Sequence, residues 1–105
     1  MGTIQYETEE LDGGVLLIQV VGQLDTETSA RFFSGVEQEI ENGHSQIILN
    51  CIDLSYISSY GLAMLMRVHS RMKKIGGDVK LARVRTTVSE ILHIVGFNKL
   101  GPAKQ

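Results

Sequence analysis

The segment from Ile47 to Val84 places the strongest constraint on the fold of this 105-residue chain. An apolar run over Ile47–Leu49 predicts a buried strand, and apolar residues at three- and four-residue spacing predict a helix over Leu62–Ile75. The alternating run over Val79–Leu81, with Val84 as a possible extension, predicts the next strand. Strand, helix and strand with short connections form a βαβ unit, so we expect two parallel strands and a right-handed crossover.

The N-terminal part predicts two more strands and a helix. Alternation over Ile4–Thr8 predicts a half-exposed strand, and the apolar run over Val15–Val21 predicts a central strand antiparallel to it, ended by Gly22. Asp25 is a good helix N-cap, and Asn42-Gly43 is a typical helix end. These elements precede the βαβ unit, which favours an α/β fold.

The predicted helix over Leu62–Ile75 is apolar nearly all round in its first half, so we expect that half to be well buried, with Met66 in the core face. A capping box at Thr87–Glu90 predicts a short third helix, and Phe97–Leu100 could add a last strand. Residues 101–105 are expected to form a loose tail. The length suits one domain spanning residues 1–105.

Composition excludes several kinds of function. The formal charge is −2 with acids and bases interspersed, which argues against nucleic acid or an anionic membrane as partner. Cys51 is the single cysteine, so there is no disulfide framework, and it is predicted to be a buried small hydrophobe. No segment predicts a secretory signal or a bilayer span, so the expected location is the cytoplasm.

Metal and catalytic sites are not predicted. The three histidines lie too far apart in sequence for a metal site, and each is interpreted as a surface or partly buried polar residue. A basic cluster near the end of the second helix is interpreted as a solvated helix terminus. We therefore predict no cofactor, no metal and no enzymatic activity. The three histidines are His44, His69 and His93, and the basic cluster consists of Arg67, Arg71, Lys73 and Lys74.

Two adjacent serines, Ser58 and Ser59, lie where a strand gives way to a helix. A serine there can cap the helix by accepting from free backbone N–H groups, typically for ~1 kcal/mol. The same N–H groups and the helix dipole would also tolerate a phosphate, which adds roughly −1.5 to −2 charges. Asp53, and Asp25 if the strand ends are neighbours, would already make the spot acidic. The residues leave open whether the serines only cap or also switch an interface.

Four motifs in order resemble one protein family. They are Gly22-Gln23-Leu24-Asp25, the stretch Leu49–Leu62 with its two serines, Ile75-Gly76-Gly77 and Ile94-Val95-Gly96-Phe97. Together they resemble the bacterial anti-sigma factor antagonists, which are STAS domains (sulfate transporter and anti-sigma antagonist). The resemblance implies a mixed, mostly parallel β-sheet with helices packed mainly on one face.

The resemblance also implies partner switching. An unphosphorylated antagonist binds an anti-sigma factor that is a serine kinase, phosphorylation of the antagonist releases it, and a serine phosphatase resets it. The family acceptor maps onto Ser59, with Ser58 as a competing acceptor, because Ser58 stands where the family has Asp and Tyr60 where it has Ser or Thr. The partner-binding residues implied are Asp25, Asp53, Ser58, Tyr60, Gly61 and Leu62.

An alternative function is a STAS subunit that stabilises the ATPase of a membrane transporter without being phosphorylated. Tyr56 or Tyr60 and the apolar helix start could serve such a docking surface equally well. A hydrolase or nucleotide-binding function lacks a supporting motif.

Overall fold

The computed structural model describes residues 2–86 and residue 88. It confirms the predicted α/β fold, with a four-stranded, mostly parallel mixed sheet in the order β1-β2-β3-β4. Strands β1 and β2 are antiparallel, and β2, β3 and β4 are mutually parallel. The elements are β1 (Ile4–Glu10), a 3-10 turn (Asp12–Gly14), β2 (Leu16–Leu24), α1 (Thr26–Glu41), β3 (Gln46–Ile57), α2 (Ser59–Lys74) and β4 (Asp78–Ala82).

Both helices pack on the same face of the sheet, because each links two parallel neighbouring strands by a crossover of the same hand. Alternate strand residues such as Ile18 and Leu49 point into the core between the sheet and the helices. Phe32 and Phe33 of α1 are essentially fully buried there, with ring centroids 4.9 Å apart in an edge-to-face arrangement. The opposite face of the sheet carries no helix among the described residues.

Two predicted strand ends are wrong. Strand β2 runs through Gly22 to Leu24. Gly22 lies at an irregularity in the β2–β3 pairing and adopts φ +121°. Because it has no side chain, it can pass close to the Thr3 carbonyl oxygen. Strand β3 extends from the apolar run to Ile57. The second half of β3 is largely exposed, so it lacks the continuous apolar pattern by which the first half was recognised.

The predicted position of α2 is also corrected. It begins at Ser59 rather than Leu62 and ends at Lys74. Its first half is not buried all round, since Met66 is 43% exposed. The helix buries one stripe, as expected of a surface helix. The buried residues of this stripe are Gly61, Leu62, Leu65, Val68 and Met72.

Several other predictions are confirmed. Cys51 is buried, and its burial raises the pKa of the thiol to about 12, which removes it as a nucleophile. His44 is partly buried between Glu10 and Glu39, with Nε2 2.9 Å from the Glu10 carboxylate. The basic cluster lies at the solvent-accessible end of α2, as predicted, and Arg71 within it also pairs with Glu41 of α1 at 3.4 Å.

Some predictions fall on residues that are not described. The capping box at 87–90, the third helix, the last strand at 97–100, His93 and the tail at 101–105 lie outside the described residues. Val88 and Val84 are described and buried in the core, although Val84 follows β4 rather than extending it. In residues 2–86 and 88, no helix is long and apolar enough to cross a membrane and no acidic, histidine or cysteine group is arranged to hold a metal.

Asp25 caps α1 through a reciprocal set of hydrogen bonds. Its Oδ1 accepts from the Thr28 backbone N–H at 2.9 Å, and its own N–H donates to the Thr28 hydroxyl at 2.9 Å. Its Oδ2 accepts from the Gly2 N–H at 2.8 Å, which ties the start of the chain to the end of β2. These hydrogen bonds, led by that from Thr28, hold the pKa of the Asp25 carboxyl below its ordinary value.

Gly61 allows the first turn of α2 to lie against the first turn of α1. A Cβ at this position would meet the Ser29 Oγ at 2.8 Å, the Ile57 Cγ1 at 2.9 Å and the Leu24 carbonyl oxygen at 3.1 Å. Two of these atoms belong to buried side chains and the third to the backbone of β2, so none can move aside easily. Glycine is therefore required by close approach.

The Asp25 cap should make stability depend on pH in the acid range. Because its pKa is lower in the folded state, the carboxylate contributes stability above the unfolded value of 3.8, and this contribution is lost as the pH falls through the folded value. We expect Asp25→Asn to be less stable than wild type in urea unfolding at about pH 6, and we expect this deficit to be smaller near pH 2.5. Asp53→Asn, which removes an exposed carboxylate 4.0 Å from Arg85, is the control and should change stability little at either pH. An equal deficit of Asp25→Asn at both pH values would contradict the capping role of the charge.

Substitution of Gly61 should test the close approach of the two helices. We expect Gly61→Ala to lower the free energy of unfolding by roughly 1–3 kcal/mol, because a methyl group is forced against packed atoms. Gly35→Ala in the middle of α1 is the comparison variant, since the nearest atoms to its Cβ would all belong to the side chain of the partly exposed Tyr6 and none to the backbone of a strand. Chemical denaturation of both variants measures the difference, and similar losses would refute a special packing role for Gly61.

Candidate functional site

The candidate site lies where β2 and β3 end side by side. The two strands are parallel, with Leu24 opposite Ile57, and the Ser58 N–H donates to the Leu24 carbonyl oxygen at 2.8 Å. Each strand passes directly into a helix, so the N-termini of α1 and α2 open at the same edge of the sheet. The carboxyl ends of parallel strands are a common place for recognition sites in α/β folds.

Ser58 uses its hydroxyl to start α2. Its backbone is extended, with φ −82° and ψ 170°, and its Oγ accepts from the Gly61 N–H at 3.0 Å. Its carbonyl oxygen accepts the first helical hydrogen bond, from the Leu62 N–H at 2.9 Å. Ser58 is half-buried, and both its backbone and its side chain are engaged in this helix start.

Ser59 differs from its neighbour in both exposure and bonding. It is the first residue of α2 and is exposed to solvent. Among the described residues, no hydrogen bond involves its hydroxyl, whereas the Ser58 hydroxyl is bonded. The sequence left the choice between the serines open, and the geometry separates an engaged hydroxyl from an accessible one.

The acidic residues predicted near the serines are placed differently. Asp25 follows Leu24 directly and so lies beside Ser58, where its lowered pKa keeps it negatively charged at neutral pH. Asp53 lies four positions before the end of β3, roughly 13 Å along the strand, opposite Val21. It is accompanied by Arg85, whose Nη2 is 4.0 Å from the Asp53 carboxylate. The charge beside the serines therefore comes from Asp25, with Glu27 in the first turn of α1.

The other predicted partner-binding residues divide into an outer and an inner set. Tyr60, next to Ser59 in α2, is 42% exposed, and Tyr56, near the end of β3 and opposite Gln23, is 49% exposed, so both offer aromatic surface. Gly61 and Leu62 are buried and shape the helix start from inside. Aromatic side chains at such a surface are typical of protein interfaces.

The sequence prediction missed Thr28, which orients the Asp25 carboxylate. Its hydroxyl accepts from the Asp25 N–H and lies 2.7 Å from the Gln23 carbonyl oxygen, to which it donates. The signal was present, because Asp25 and Thr28 stand at the spacing of a capping box. Thr28 thus holds Asp25 in position and is not part of the surface of the site.

This arrangement suits covalent modification better than catalysis. The described residues bring no histidine or lysine to either serine hydroxyl by a hydrogen bond, so neither has a base to activate it. The start of α2 instead offers unpaired N–H groups and the positive end of a helix dipole beside an accessible hydroxyl. A phosphate on Ser59 would be placed where such an anion is favoured.

Comparison with known proteins gives a consistent result. The family model for the STAS domain matches residues 6–104. An anti-sigma F factor antagonist from Paenibacillus polymyxa is 26% identical over 100 residues, which cover 94% of this chain and 85% of that protein. The Bordetella bronchiseptica protein BtrV, provisionally assigned as an anti-sigma factor antagonist, is 24% identical over 89 residues, covering 85% and 77% respectively.

Solved structures share the fold. An anti-sigma factor antagonist from Mycobacterium paratuberculosis superposes with a TM-score of 0.81 at 16% identity, covering 97% of this chain and 92% of that one. The Bacillus cell fate determinant SpoIIAA in its phosphorylated form gives a TM-score of 0.72 at 19% identity, covering 88% and 84%. Anti-sigma factor antagonists are regulatory binding proteins, which confirms the prediction that the chain is not an enzyme. With nearly the whole sequence matched by one family model, the chain belongs to the STAS domain family, of which anti-sigma factor antagonists are members.

Proposed function

We propose that this protein is an anti-sigma factor antagonist that works by partner switching. In its unmodified form it binds an anti-sigma factor of the serine-kinase type at the edge formed by the starts of α1 and α2. Phosphorylation of Ser59 by that kinase ends the complex, and a serine phosphatase restores the binding form. The supporting relatives are anti-sigma factor antagonists at low identity.

The observation that carries the proposal is the separation of two roles between neighbouring serines. The Ser58 hydroxyl is committed to the Gly61 N–H, so a phosphate there would replace a helix cap. The Ser59 hydroxyl is exposed and has no hydrogen bond within the described residues. A kinase can therefore reach Ser59 without breaking any contact that holds the start of α2.

The unmodified surface can hold a partner through its aromatic and charged groups. Tyr60 provides exposed apolar area beside Ser59, Tyr56 provides more near the end of β3, and Asp25 provides a fixed negative charge. Because hydrogen bonds from Thr28 and Gly2 hold that carboxylate in place, it can meet a cation on the partner with little loss of side-chain entropy.

Phosphorylation changes this surface electrostatically. The Ser59 Oγ bonds to the γ-phosphorus of a nucleoside triphosphate held by the kinase and passes its proton to a base of the kinase. The bond between the γ-phosphorus and the bridging oxygen breaks, and the nucleoside diphosphate leaves. The product carries roughly −1.5 to −2 additional charges next to Asp25. A partner surface that fitted the free hydroxyl must then desolvate a phosphate, and even ~1.4 kcal/mol of loss weakens binding tenfold. The domain itself accepts the anion, because it lies at a helix N-terminus.

The two serines should differ in their contribution to stability. We expect Ser58→Ala to reduce the free energy of unfolding by about 1 kcal/mol, because the Gly61 N–H loses its acceptor. Ser59→Ala should change it by less than about 0.5 kcal/mol, since no contact of its side chain is removed. Urea denaturation of the two variants in parallel is the measurement. A larger loss for Ser59→Ala would show that the roles are reversed.

The switch predicts opposite behaviour of two substitutions at one position. In capture experiments from the native cell, wild type and Ser59→Ala should retain an anti-sigma factor of the kinase type, while Ser59→Asp should bind it at least about tenfold more weakly. Phosphosite mass spectrometry of the wild type should place the phosphate on Ser59. Asp53→Asn is a control that changes charge on β3 and should leave release intact.

Two results would count against the proposal. Phosphate on neither serine by any cognate kinase would remove the mechanism. Equal capture of a transporter ATPase by wild type and both Ser59 variants would support the alternative function, in which the protein stabilises that ATPase through the same aromatic surface.

A further inference from the structure

On the face of the sheet turned away from the helices, charges of opposite sign lie at opposite edges. One row of side chains crosses all four strands, because Glu9 pairs with Leu17, Leu17 with Ile48, and Ile48 with Lys80. The chain neighbours of these residues, such as Leu16, Ile47 and Val79, are buried on the helix side, so the row itself faces the open side. Read from β1 to β4, this row is an acid, two aliphatic residues and a base.

The next row also begins with an acid on β1, but it ends on β4 with Ala82 and not with a base. Glu7 pairs with Gln19, Gln19 with Asn50, and Asn50 with Ala82. The two central positions are amides, which can both donate and accept hydrogen bonds. Beyond this row, Val21 on β2 is 41% exposed, an unusual exposure for an aliphatic side chain in the middle of a sheet. Val21 lies opposite the exposed Asp53 on β3, which is accompanied by Arg85. The centre of the face is thus apolar or amide-bearing over its first two rows, while its β1 edge is acidic and its β4 edge carries Lys80.

A two-fold axis along the strands, between β2 and β3, would place two such faces in register. It brings the β1 edge of each copy over the β4 edge of the other. Glu9 of each copy then lies over Lys80 of the other, so this pair forms twice in the dimer. The same operation sets Leu17 over Ile48 and Gln19 over Asn50. An axis across the strands would instead set the acidic edges against each other.

We propose that this open face binds a second copy of the chain, giving a weak, symmetric, face-to-face dimer. The charge complementarity favours this occupant, because a face that is acidic at one edge and basic at the other fits its own two-fold image. The proposed interface uses the opposite side of the sheet from the helices. It is therefore independent of Ser59 and of the partner-switching proposal.

The size of the face sets the expected affinity. Four strands at about 4.8 Å and five residues at about 3.3 Å give a footprint near 19 by 17 Å, well below that of a standard stable interface. We therefore expect a dissociation constant between about 10 µM and 1 mM, rising with salt because charged pairs rim the contact.

Charge reversal distinguishes this dimer from other associations. We expect sedimentation equilibrium up to about 1 mM protein to show dimers of wild type, and Glu9→Lys or Lys80→Glu to weaken them at least about fivefold, since each change enters a two-fold interface twice. The double variant Glu9→Lys/Lys80→Glu should regain most of the wild-type affinity. Lys74→Glu, on α2, is the charge-matched control and should leave the dimer unchanged.

Three outcomes would overturn the proposal. They are a monomer at every concentration, dimers unaffected by either single reversal, and a double variant as impaired as the single ones. Loss of anti-sigma factor capture by the single variants of a purely monomeric protein would assign the face to that partner instead. Circular dichroism and urea unfolding of each variant confirm that it is folded, which these exposed positions should permit.

Discussion

The parallel pairing of β2 with β3 is the interaction on which the rest of this structure depends. It continues to the last residues of both strands, where the Ser58 N–H donates to the Leu24 carbonyl oxygen. That single hydrogen bond fixes the relative position of two helix starts, because α1 follows one strand and α2 the other without a loop. Gly61 then lets the two first turns touch. The functional edge is therefore positioned by the backbone rather than by its own side chains.

Sequence patterns predicted much of this architecture where burial is one-sided and continuous. The apolar run of β3, the spacing in both helices and the cap at Asp25 each reflect a local physical requirement, and each belongs to an element of the expected type, although α2 and β3 differ from their predicted bounds. The errors fall where local signals conflict with tertiary pairing. Gly22 suggested a strand end, yet β2 continues because pairing with β3 tolerates an irregularity there. Met66 suggested core, yet it is exposed because α2 is covered on one side only.

For the candidate site, the sequence could identify the two serines but could not show which hydroxyl caps α2 and which is accessible. Ser58 and Ser59 are chemically identical, and only the start point of α2 decides which one caps it. The position of that start depends on the extension of β3 to Ile57, a consequence of pairing with β2. Asp53 was associated with the serines by nearness in sequence, whereas the extended strand separates it from them and Asp25 arrives from the neighbouring strand.

The division of labour between Ser58 and Ser59 has a consequence for the lifetime of the protein in a cell. A phosphate on Ser59 would break no hydrogen bond of the fold and would lie at a helix N-terminus, so it would not raise the fraction of unfolded molecules, which governs how fast proteases remove a protein. Phosphorylated molecules would then be degraded no faster than unmodified ones. One molecule could therefore be phosphorylated and dephosphorylated many times without being lost to proteolysis.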